Sequence, residues 1–366
     1  MAIAMNKIIE VILFMNSYDY VVEANIIISL IFSNFAKIVL LLITEKMAIQ
    51  ILLLILGLAL ILFGANWLVD GSTSIARKTG MSEFVIGLTI VGIGTSTPEM
   101  VVSFIAAFQG QSEIALGNVI GSNIFNILMI LGITTLISPI TMSKENRVKD
   151  IPINILVTGA LLLIWVAHSV LGLGANQISR VEGILMLVAF TAYLWMMFRS
   201  GSNTEEDSSE EDTKTYSNWV SILMIIGGLG CLIGGGKFFV NSATAIAQYL
   251  NLSEKLIAIT IMAAGTSLPE LATCIVAARK GRNQMALGNV LGSNIANILL
   301  IVGGAAVISP LSLSAISWVD LSVVMLASIV LLVSAYTIKR DRIDRREGLL
   351  FIIIEVAYMI WLCING

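Results

Sequence analysis

Two glutamates occupy matched surroundings at distant points of a very apolar chain. Glu99 closes the stretch 94–99, which reads G-T-S-T-P-E, and Glu270 closes the stretch 265–270, which reads G-T-S-L-P-E. On a helix, a Thr four residues before the Glu and a Ser three residues before it lie on the face of the carboxylate. One such glutamate is equally well explained by a neutral carboxyl that hydrogen-bonds between helices, whereas two in matched contexts indicate a functional site.

Each copy also carries a proline immediately before its glutamate. Pro98 and Pro269 have no N–H, so a continuous helix would leave the carbonyls of Gly94 and Gly265 without their helical partners. Glycine and proline together predict a helix break near 92–95 and near 263–266. Irregular backbone at membrane depth is tolerated where it is buried or lines a cavity, and its free carbonyls can coordinate cations.

A second motif follows each copy and adds further oxygen atoms. Asn118, Ser122 and Asn126 are spaced i, i+4, i+8, which predicts one polar stripe on a helix. The second copy repeats this stripe 171 residues later. Two glycines four residues apart in each copy match the small-xxx-small pattern that lets membrane helices approach closely. Asn123 and Asn294 lie off the stripe, and we expect them to join helices by hydrogen bonds.

Together the two copies offer carboxylate, hydroxyl, amide and carbonyl oxygens, with no thiolate, imidazole or lysine at the same depth. All-oxygen sites suit hard cations, and Ca²⁺ takes about six to eight oxygen ligands in a flexible shell. Two carboxylates balance one divalent charge, and Na⁺ is bound by the same ligand chemistry. The residues therefore predict a cation-binding membrane transporter that needs no cofactor.

The composition indicates where these motifs lie. Of 366 residues, 57% are hydrophobic and 12% charged, with a mean hydropathy of +0.94, and soluble domains carry roughly twice that share of charge. The apolar runs reach the length of about 20 residues that crosses a bilayer. They predict an all-α polytopic membrane protein with ten transmembrane helices, at about 48–70, 83–108, 113–137, 151–168, 181–198, 218–243, 255–278, 285–308, 317–338 and 347–364. Residues 1–46 are either an extra N-terminal helix or an extension before Met47.

An internal repeat constrains how these helices are arranged. Positions 81–140 and 252–311 align without a gap, and 30 of the 60 pairs are identical. Five spans per copy is an odd number, so the second copy must enter the membrane with opposite polarity, an inverted repeat of the kind found in many secondary transporters. We expect five-helix repeats at 47–200 and 217–366, joined by an acidic linker at 201–216, with the two glutamates meeting at mid-depth.

Basic residues predict the orientation of the chain. Fifteen of the 21 Lys and Arg residues fall in the odd-numbered loops, and positively charged loops tend to stay in the cytoplasm. We therefore expect the odd-numbered loops, including the solvated acidic linker, on the cytoplasmic side of the cell membrane. The lipid bilayer is the expected partner, and no feature indicates nucleic acid or an obligate protein partner.

At these motifs the chain resembles the sodium/calcium exchanger family of the cation/calcium antiporter superfamily, in its compact prokaryotic form. The two alpha-repeats of that family carry G-T-S-x-P-E and G-N-x-x-G-S-N-x-x-N, which stand here at 94–99 with 117–126 and at 265–270 with 288–297. The resemblance extends from about Met47 to the end of the chain. It implies countertransport of Na⁺ entering for Ca²⁺ leaving by alternating access. The ligand set that it implies consists of Glu99, Glu270, Thr95, Ser96, Thr266, Ser267, the carbonyls of Gly92 and Ala263, and Ser122, Ser293, Asn126 and Asn297.

One departure from the family pattern bears on the coupling ion. Some members, including potassium-coupled ones, carry Asp where this chain has Asn297, so both halves here present a neutral amide. This argues against potassium dependence and removes a protonatable group. Proton-driven relatives share much of the motif, so a Ca²⁺/H⁺ or other cation/proton antiporter is the alternative.

Two further classes of membrane protein fit the repeats less well. A channel would pass ions without a countertransported ion, and a membrane-embedded enzyme needs clustered aspartates or a nucleophile with a base, which the repeats lack. We therefore expect no enzymatic activity. Glu355 in the last span has no matched context, and we expect it to make a packing or interface hydrogen bond.

Overall fold

The structure is a computed structural model, and it describes residues 45–200, 215–250, 263–337 and 341–365. The chain divides into two compact units, Met1–Leu52 and Leu53–Gly366. The described part of the first unit is only the start of one helix, and every feature discussed below belongs to the second. The predicted extra helix, most of the acidic linker and the start of the span expected at 255–278 lie outside the described residues.

The described residues are mostly helical. In chain order the helices are α1 (Glu45–Thr79), α2 (Glu83–Thr95), α3 (Thr97–Phe108), α4 (Ser112–Ile137), α5 (Asn146–Val170), α6 (Arg180–Ser200), α7 (Asn218–Tyr249), α8 (Leu268–Arg279), α9 (Asn283–Ile308), α10 (Trp318–Ser334) and α11 (Arg345–Asn365). A short helical turn, Ala263–Gly265, precedes α8. Four strands of two residues each are β1 (Ile140–Thr141), β2 (Gln177–Ile178), β3 (Leu311–Ser312) and β4 (Arg342–Ile343).

The lengths and surfaces of these helices are those of a multi-pass membrane protein. Within the described residues, seven helices are long and apolar enough to cross a membrane, or eight if the bent pair α2–α3 is one span. The ninth expected span, α10, has 17 residues. Large apolar side chains such as Leu163, Leu185 and Leu223 stand exposed on the outer helices, and soluble proteins rarely expose extended apolar surface.

Two helices, α4 and α9, form the centre of the bundle. In the most apolar stretch of each helix, 67% of the residues of α4 and 78% of those of α9 are buried, against 17% in α1. α4 packs against α3 and α11, and α9 packs against α2, α6 and α8. The motif-bearing helices are therefore surrounded by protein, which is where polar side chains in a membrane are expected.

The four strands join the two halves of the chain. β1 pairs antiparallel with β4, and β2 pairs antiparallel with β3. Ile140 of β1 and Leu311 of β3 stand at equivalent positions of the two copies, 171 residues apart. Each pairing therefore links a strand of one half to a strand of the other, in a pattern that is unchanged when the halves are exchanged.

The packing of α1 against α7 is likewise unchanged when the two halves of the chain are exchanged. A Cβ built at Gly57 would lie 2.8 Å from the carbonyl oxygen of Gly235, and one built at Gly64 would lie 2.6 Å from that of Gly228. Only glycine allows backbones to approach so closely, as in small-residue packing of membrane helices. Gly57 is equivalent to Gly228 and Gly64 to Gly235 by the same 171-residue offset, so the two contacts are counterparts.

Candidate functional site

Ser96 separates α2 from α3, which meet at a bend of 46°. Pro98 lies in the first turn of α3, where its missing N–H leaves no hydrogen bond unmade. We predicted a free carbonyl at Gly94, but that oxygen accepts a hydrogen bond from Thr97 Oγ1 at 2.7 Å. The break therefore falls at Ser96, just past the predicted interval, and the carbonyl of Gly94 is not an unoccupied ligand.

The second copy breaks in the same way. Ser267 has φ −88° and ψ 7°, close to the −78° and 8° of Ser96, and Pro269 lies in the first turn of α8. Glu99 and Glu270 thus both stand in the first turn of a helix, where the helix dipole favours a negative charge. Their side chains are 0% and 1% exposed, so neither carboxylate is solvated.

Each glutamate accepts a hydrogen bond from the serine of the other copy. Ser96 Oγ donates to Glu270 Oε1 at 3.1 Å, and Ser267 Oγ donates to Glu99 Oε1 at 3.1 Å. We expected each hydroxyl beside the carboxylate of its own copy, but the helix break turns it toward the other half. Because Ser96 is three residues from Glu99, the crossed bonds bring both carboxylates into one site.

Two asparagines on the central helices support the half-helices that carry the glutamates. Asn118 Nδ2 donates to the backbone carbonyl of Glu99 at 3.1 Å and to Ser103 Oγ at 3.0 Å. Its counterpart Asn289 donates through Nδ2 to Cys274 Sγ at 3.2 Å. Cys274 is equivalent to Ser103 by the repeat offset, so a thiol in one half stands where the other has a hydroxyl.

The hydroxyls of the two polar stripes differ in what they bind. In the second half, Ser293 Oγ donates to the carbonyl of Gly92 at 3.1 Å, and Asn289 Oδ1 accepts from Thr95 Oγ1 at 3.1 Å. In the first half, Ser122 Oγ donates to the carbonyl four residues earlier in its own helix at 2.7 Å. The stripe of α9 is therefore bonded to α2, whereas among the described residues the hydrogen bond that Ser122 donates stays within α4.

Four asparagines join α4 to α9. Asn123 Nδ2 donates to the carbonyl of Asn294 at 3.1 Å, and Asn294 Nδ2 donates to the carbonyl of Asn123 at 3.2 Å. The bridging role predicted for this pair is confirmed. Asn126 Nδ2 donates to Asn294 Oδ1, and Asn297 Nδ2 donates to Asn123 Oδ1, each at 3.0 Å. These bonds fix the amide nitrogens of Asn126 and Asn297 and leave their oxygens available.

Four buried oxygens of this cluster have no hydrogen-bond partner among the described residues, and they are Glu99 Oε2, Glu270 Oε2, Asn126 Oδ1 and Asn297 Oδ1. They occupy matched positions, two in each half. A buried polar atom without a partner costs free energy, and an unpaired carboxylate costs most. All four are acceptors, so a bound cation would satisfy them together. Asn126 and Asn297 also each begin a π-helical turn, an irregularity that is frequent at functional sites.

The remaining predicted ligands lie next to this cluster in the chain. Thr266 is half-buried in the turn before Ser267, and Ala263 begins the helical turn that precedes α8. Across the described residues, no group of three or more His, Cys, Asp and Glu side chains is placed to hold a metal ion. The donors brought together at this site are oxygens from two carboxylates and from amides, hydroxyls and the backbone.

A cavity of about 370 Å³ borders the first half of the site. Asn118 and Ser122 line one part of it, and Glu355 of α11 lines another. Glu355 Oε2 is buried and has no hydrogen-bond partner among the described residues. The sequence carries a signal for this residue, since an ionisable side chain inside an apolar span is by default a functional candidate.

Comparison with known proteins points to one family. A family model described as sodium/calcium exchanger protein matches residues 49–199 and 220–364. The chain is 35% identical over 329 residues to the inner membrane protein YrbG of Escherichia coli (strain K12), covering 85% of this chain and 96% of that protein. It is 32% identical over 345 residues to the sodium/calcium exchanger MaX1 of Methanosarcina acetivorans, covering 85% and 98%. The solved structure of the sodium-calcium exchanger NCX_Mj soaked with 10 mM Na⁺ and zero Ca²⁺ matches with a TM-score of 0.74 and 33% identity, covering 86% and 99%.

Proposed function

Because the chain belongs to the sodium/calcium exchanger family, we propose that it exchanges Na⁺ for Ca²⁺ across the membrane at the site built around Glu99 and Glu270. The observation that carries this proposal is the matched set of four unpartnered oxygens, on these two glutamates and on Asn126 and Asn297. The family is one of exchangers and not of enzymes, and Na⁺ and Ca²⁺ are its transported substrates.

The donor chemistry supports hard cations. Carboxylate, amide and hydroxyl oxygens are the ligands that Ca²⁺ takes, and the shell is flexible enough to be built from both halves. In this proposal Glu99 and Glu270 supply charge, and neutral oxygens complete the shell. Those neutral ligands are the hydroxyls of Thr95, Ser96, Thr266, Ser267, Ser122 and Ser293, the amides of Asn126 and Asn297, and the carbonyls of Gly92 and Ala263.

Burial of the two carboxylates explains why transport would be coupled. Taking an uncompensated charge out of water costs several kcal/mol for each ion, so an empty, doubly ionised site is unfavourable. One Ca²⁺ or several Na⁺ restore neutrality, and both compete for the same oxygens. A site that reorients only when it is neutralised exchanges one cation for the other and does not leak.

Sodium is favoured over the proton as the driving ion. Asn126 and Asn297 carry no exchangeable charge, so the proton-binding groups of the four-oxygen cluster are only Glu99 and Glu270. A proton on either glutamate would remove the charge that Ca²⁺ requires but would use none of the hydroxyl, amide or carbonyl oxygens. Na⁺ uses all of them, which fits a site with many neutral oxygen ligands.

We further propose ten membrane spans in two inverted five-helix repeats. The strand pairings and the α1–α7 glycine contacts, both unchanged when the halves are exchanged, support this arrangement. One asymmetry supports alternating access. Asn118 and Ser122 border the cavity, whereas Asn289 and Ser293 are fully buried. In the opposite state the two halves would exchange these surroundings.

The location that we propose is the cell membrane, with the odd-numbered loops in the cytoplasm. A Lys144→Cys variant and an Ala175→Cys variant, each in a Cys363→Ser background, test the orientation of two consecutive loops. A membrane-impermeant thiol reagent added to intact cells should label the cysteine at position 175 and not the one at position 144. The reverse pattern would invert the topology.

The function is tested with purified protein in liposomes. Vesicles loaded with Na⁺ should accumulate ⁴⁵Ca²⁺ from a Na⁺-free medium, and vesicles loaded with K⁺ should not. Uptake that follows an imposed proton gradient and ignores Na⁺ would make the protein a Ca²⁺/H⁺ antiporter. Ca²⁺ flux without any countertransported ion would make it a channel.

A further inference from the structure

The cavity beside the first half of the site carries acidic groups that the exchange site does not use. Besides Asn118 and Ser122, its described lining includes Asp320 at the start of α10, and Glu355 and Tyr358 on α11. No Lys, Arg or His occurs among the described residues that line it. Among the described residues, the two acids therefore share one cavity without a basic partner.

Glu355 is the unusual member of this group. Its side chain is 3% exposed, it lines the cavity, and its Oε2 has no partner among the described residues. The nearby phenol does not serve it, because Tyr358 Oη donates to Asp320 Oδ1 at 2.7 Å. A buried carboxylate with an unfilled oxygen is costly unless a proton or a cation neutralises it. The space of about 370 Å³ that Glu355 faces is large enough to admit a cation.

The other half of the chain shows that this carboxylate is not needed for packing. α6 and α11 align at the motif Arg-x-Glu-Gly, and the register is fixed by structure, since Gly183 packs on Gly303 and Gly348 packs on Gly132. In this register Glu355 corresponds to Phe190, which is 7% exposed. The fold therefore accepts an aromatic ring at this place on the helix, and the acid has another reason to be there.

We propose that Glu355 and Asp320 form a second cation site, an antechamber in which a hard cation binds before it passes along Asn118 and Ser122 to Glu99. The ligands are oxygens, so the class of ion is the same as at the exchange site. The direction of passage rests on the proposed exchange function, whereas the binding itself does not.

The experiment separates this site from the exchange site by luminescence. Tb³⁺ is a hard cation that binds oxygen ligands and emits when a nearby aromatic ring absorbs light, and Tyr358 stacks 6.4 Å from Trp361 beside this cavity. In the double variant Glu99→Gln/Glu270→Gln, purified protein should still give aromatic-sensitised Tb³⁺ emission. Addition of Glu355→Gln should abolish that emission.

Two controls keep the result interpretable. Glu355→Phe introduces the residue that the equivalent helix carries, so the variant should unfold at the wild-type temperature. It should also lose the Tb³⁺ emission. Glu113→Gln removes an exposed acid elsewhere and should keep it. The antechamber is wrong if the double variant binds no Tb³⁺, or if emission survives both substitutions of Glu355.

Transport supplies the second readout. Glu355→Gln should raise the external Ca²⁺ concentration for half-maximal uptake about threefold to tenfold, with the maximal rate unchanged, because a charge at the entrance raises the local cation concentration. An unchanged half-maximal concentration would also contradict the antechamber. If the protein shows no Na⁺-driven uptake while Tb³⁺ emission still depends on Glu355, the exchange function fails and the binding site stands.

Discussion

α4 and α9 carry the same motif but differ in how closely the described residues pack on them. A Cβ built at Gly292 on α9 would lie 2.1 Å from the carbonyl oxygen of Leu88 on α2. Gly121, at the equivalent position on α4, is exposed, and no atom of the described residues lies within 4 Å of a Cβ built there. The repeat of α2 precedes Ala263 in the chain, outside the described residues, so the comparison rests on α4 and α9 themselves.

The difference teaches that the motif sets the ligands, whereas the covering helix sets the access. Ser293 is bonded across to the carbonyl of Gly92, while Ser122 is bonded within its own helix and faces the cavity. Both environments are therefore available to one motif. A transporter that alternates between two sides needs this property, because each half must be able to adopt the surroundings of the other.

The largest expected effect is the loss of one carboxylate from either half. Glu99→Gln and Glu270→Gln should each slow Na⁺-driven ⁴⁵Ca²⁺ uptake by at least about 100-fold. The buried Ca²⁺ would lose one of its two carboxylate partners, and loss of one partner from a buried ion pair costs about 3–5 kcal/mol. Glu113→Gln is the control, because it removes an exposed acid. Full activity in either variant would show that the halves do not contribute equally to one site.

Alanine substitutions of Gly292 and of its equivalent Gly121 should have different effects, because only Gly292 is closely packed among the described residues. Gly292→Ala should destabilise the purified protein by about 1–3 kcal/mol because its Cβ overlaps the α2 backbone. Gly121→Ala should unfold at the wild-type temperature, because no described atom obstructs its Cβ. If the halves exchange surroundings during transport, Gly121→Ala will nevertheless slow exchange. Equal destabilisation by both variants, measured by thermal unfolding in detergent, would contradict the difference in packing between α4 and α9.

The crossed hydrogen bonds should prove symmetric. Ser96→Ala and Ser267→Ala each remove a donor to the carboxylate of the other half, and each should weaken apparent Ca²⁺ affinity about tenfold, since hydrogen bonds to charged groups contribute about 1.5–3 kcal/mol. Ser322→Ala is the control, because that exposed serine bonds only within its own helix. Half-maximal uptake concentrations that differ by more than about tenfold between the two variants would contradict a shared site.

The smallest effect is expected where the halves differ in one atom. Cys274→Ser gives the second half the hydroxyl that Ser103 has in the first. A hydroxyl can accept from Asn289 and donate to the carbonyl of Ala286 as the thiol does, so stability should change by less than about 1 kcal/mol. Exchange should stay within about twofold of the wild type, a difference of under 1 kcal/mol. A large loss would assign the thiol a role beyond support of Asn289.

The sequence predicted the two glutamates, the polar stripes and the bridging of Asn123 with Asn294, because each follows from residue type and helical spacing. It could not predict that Ser96 serves Glu270, since that bond depends on how two half-helices 171 residues apart are placed. The position of the helix break was also missed, because Thr97 satisfies the carbonyl that Pro98 leaves free. The cavity beside Glu355 could not be predicted either, because it is formed by helices that are distant in the chain.

The most direct test of the central claim, one cation site shared by both halves, is a crystal structure of the protein soaked in Sr²⁺ with anomalous data. Sr²⁺ replaces Ca²⁺ at oxygen sites and scatters strongly. We predict an anomalous peak about 2.3–2.6 Å from both Glu99 Oε2 and Glu270 Oε2, the range of calcium–oxygen distances. Separate peaks on the two glutamates, or Sr²⁺ bound elsewhere with none between them, would contradict the shared site.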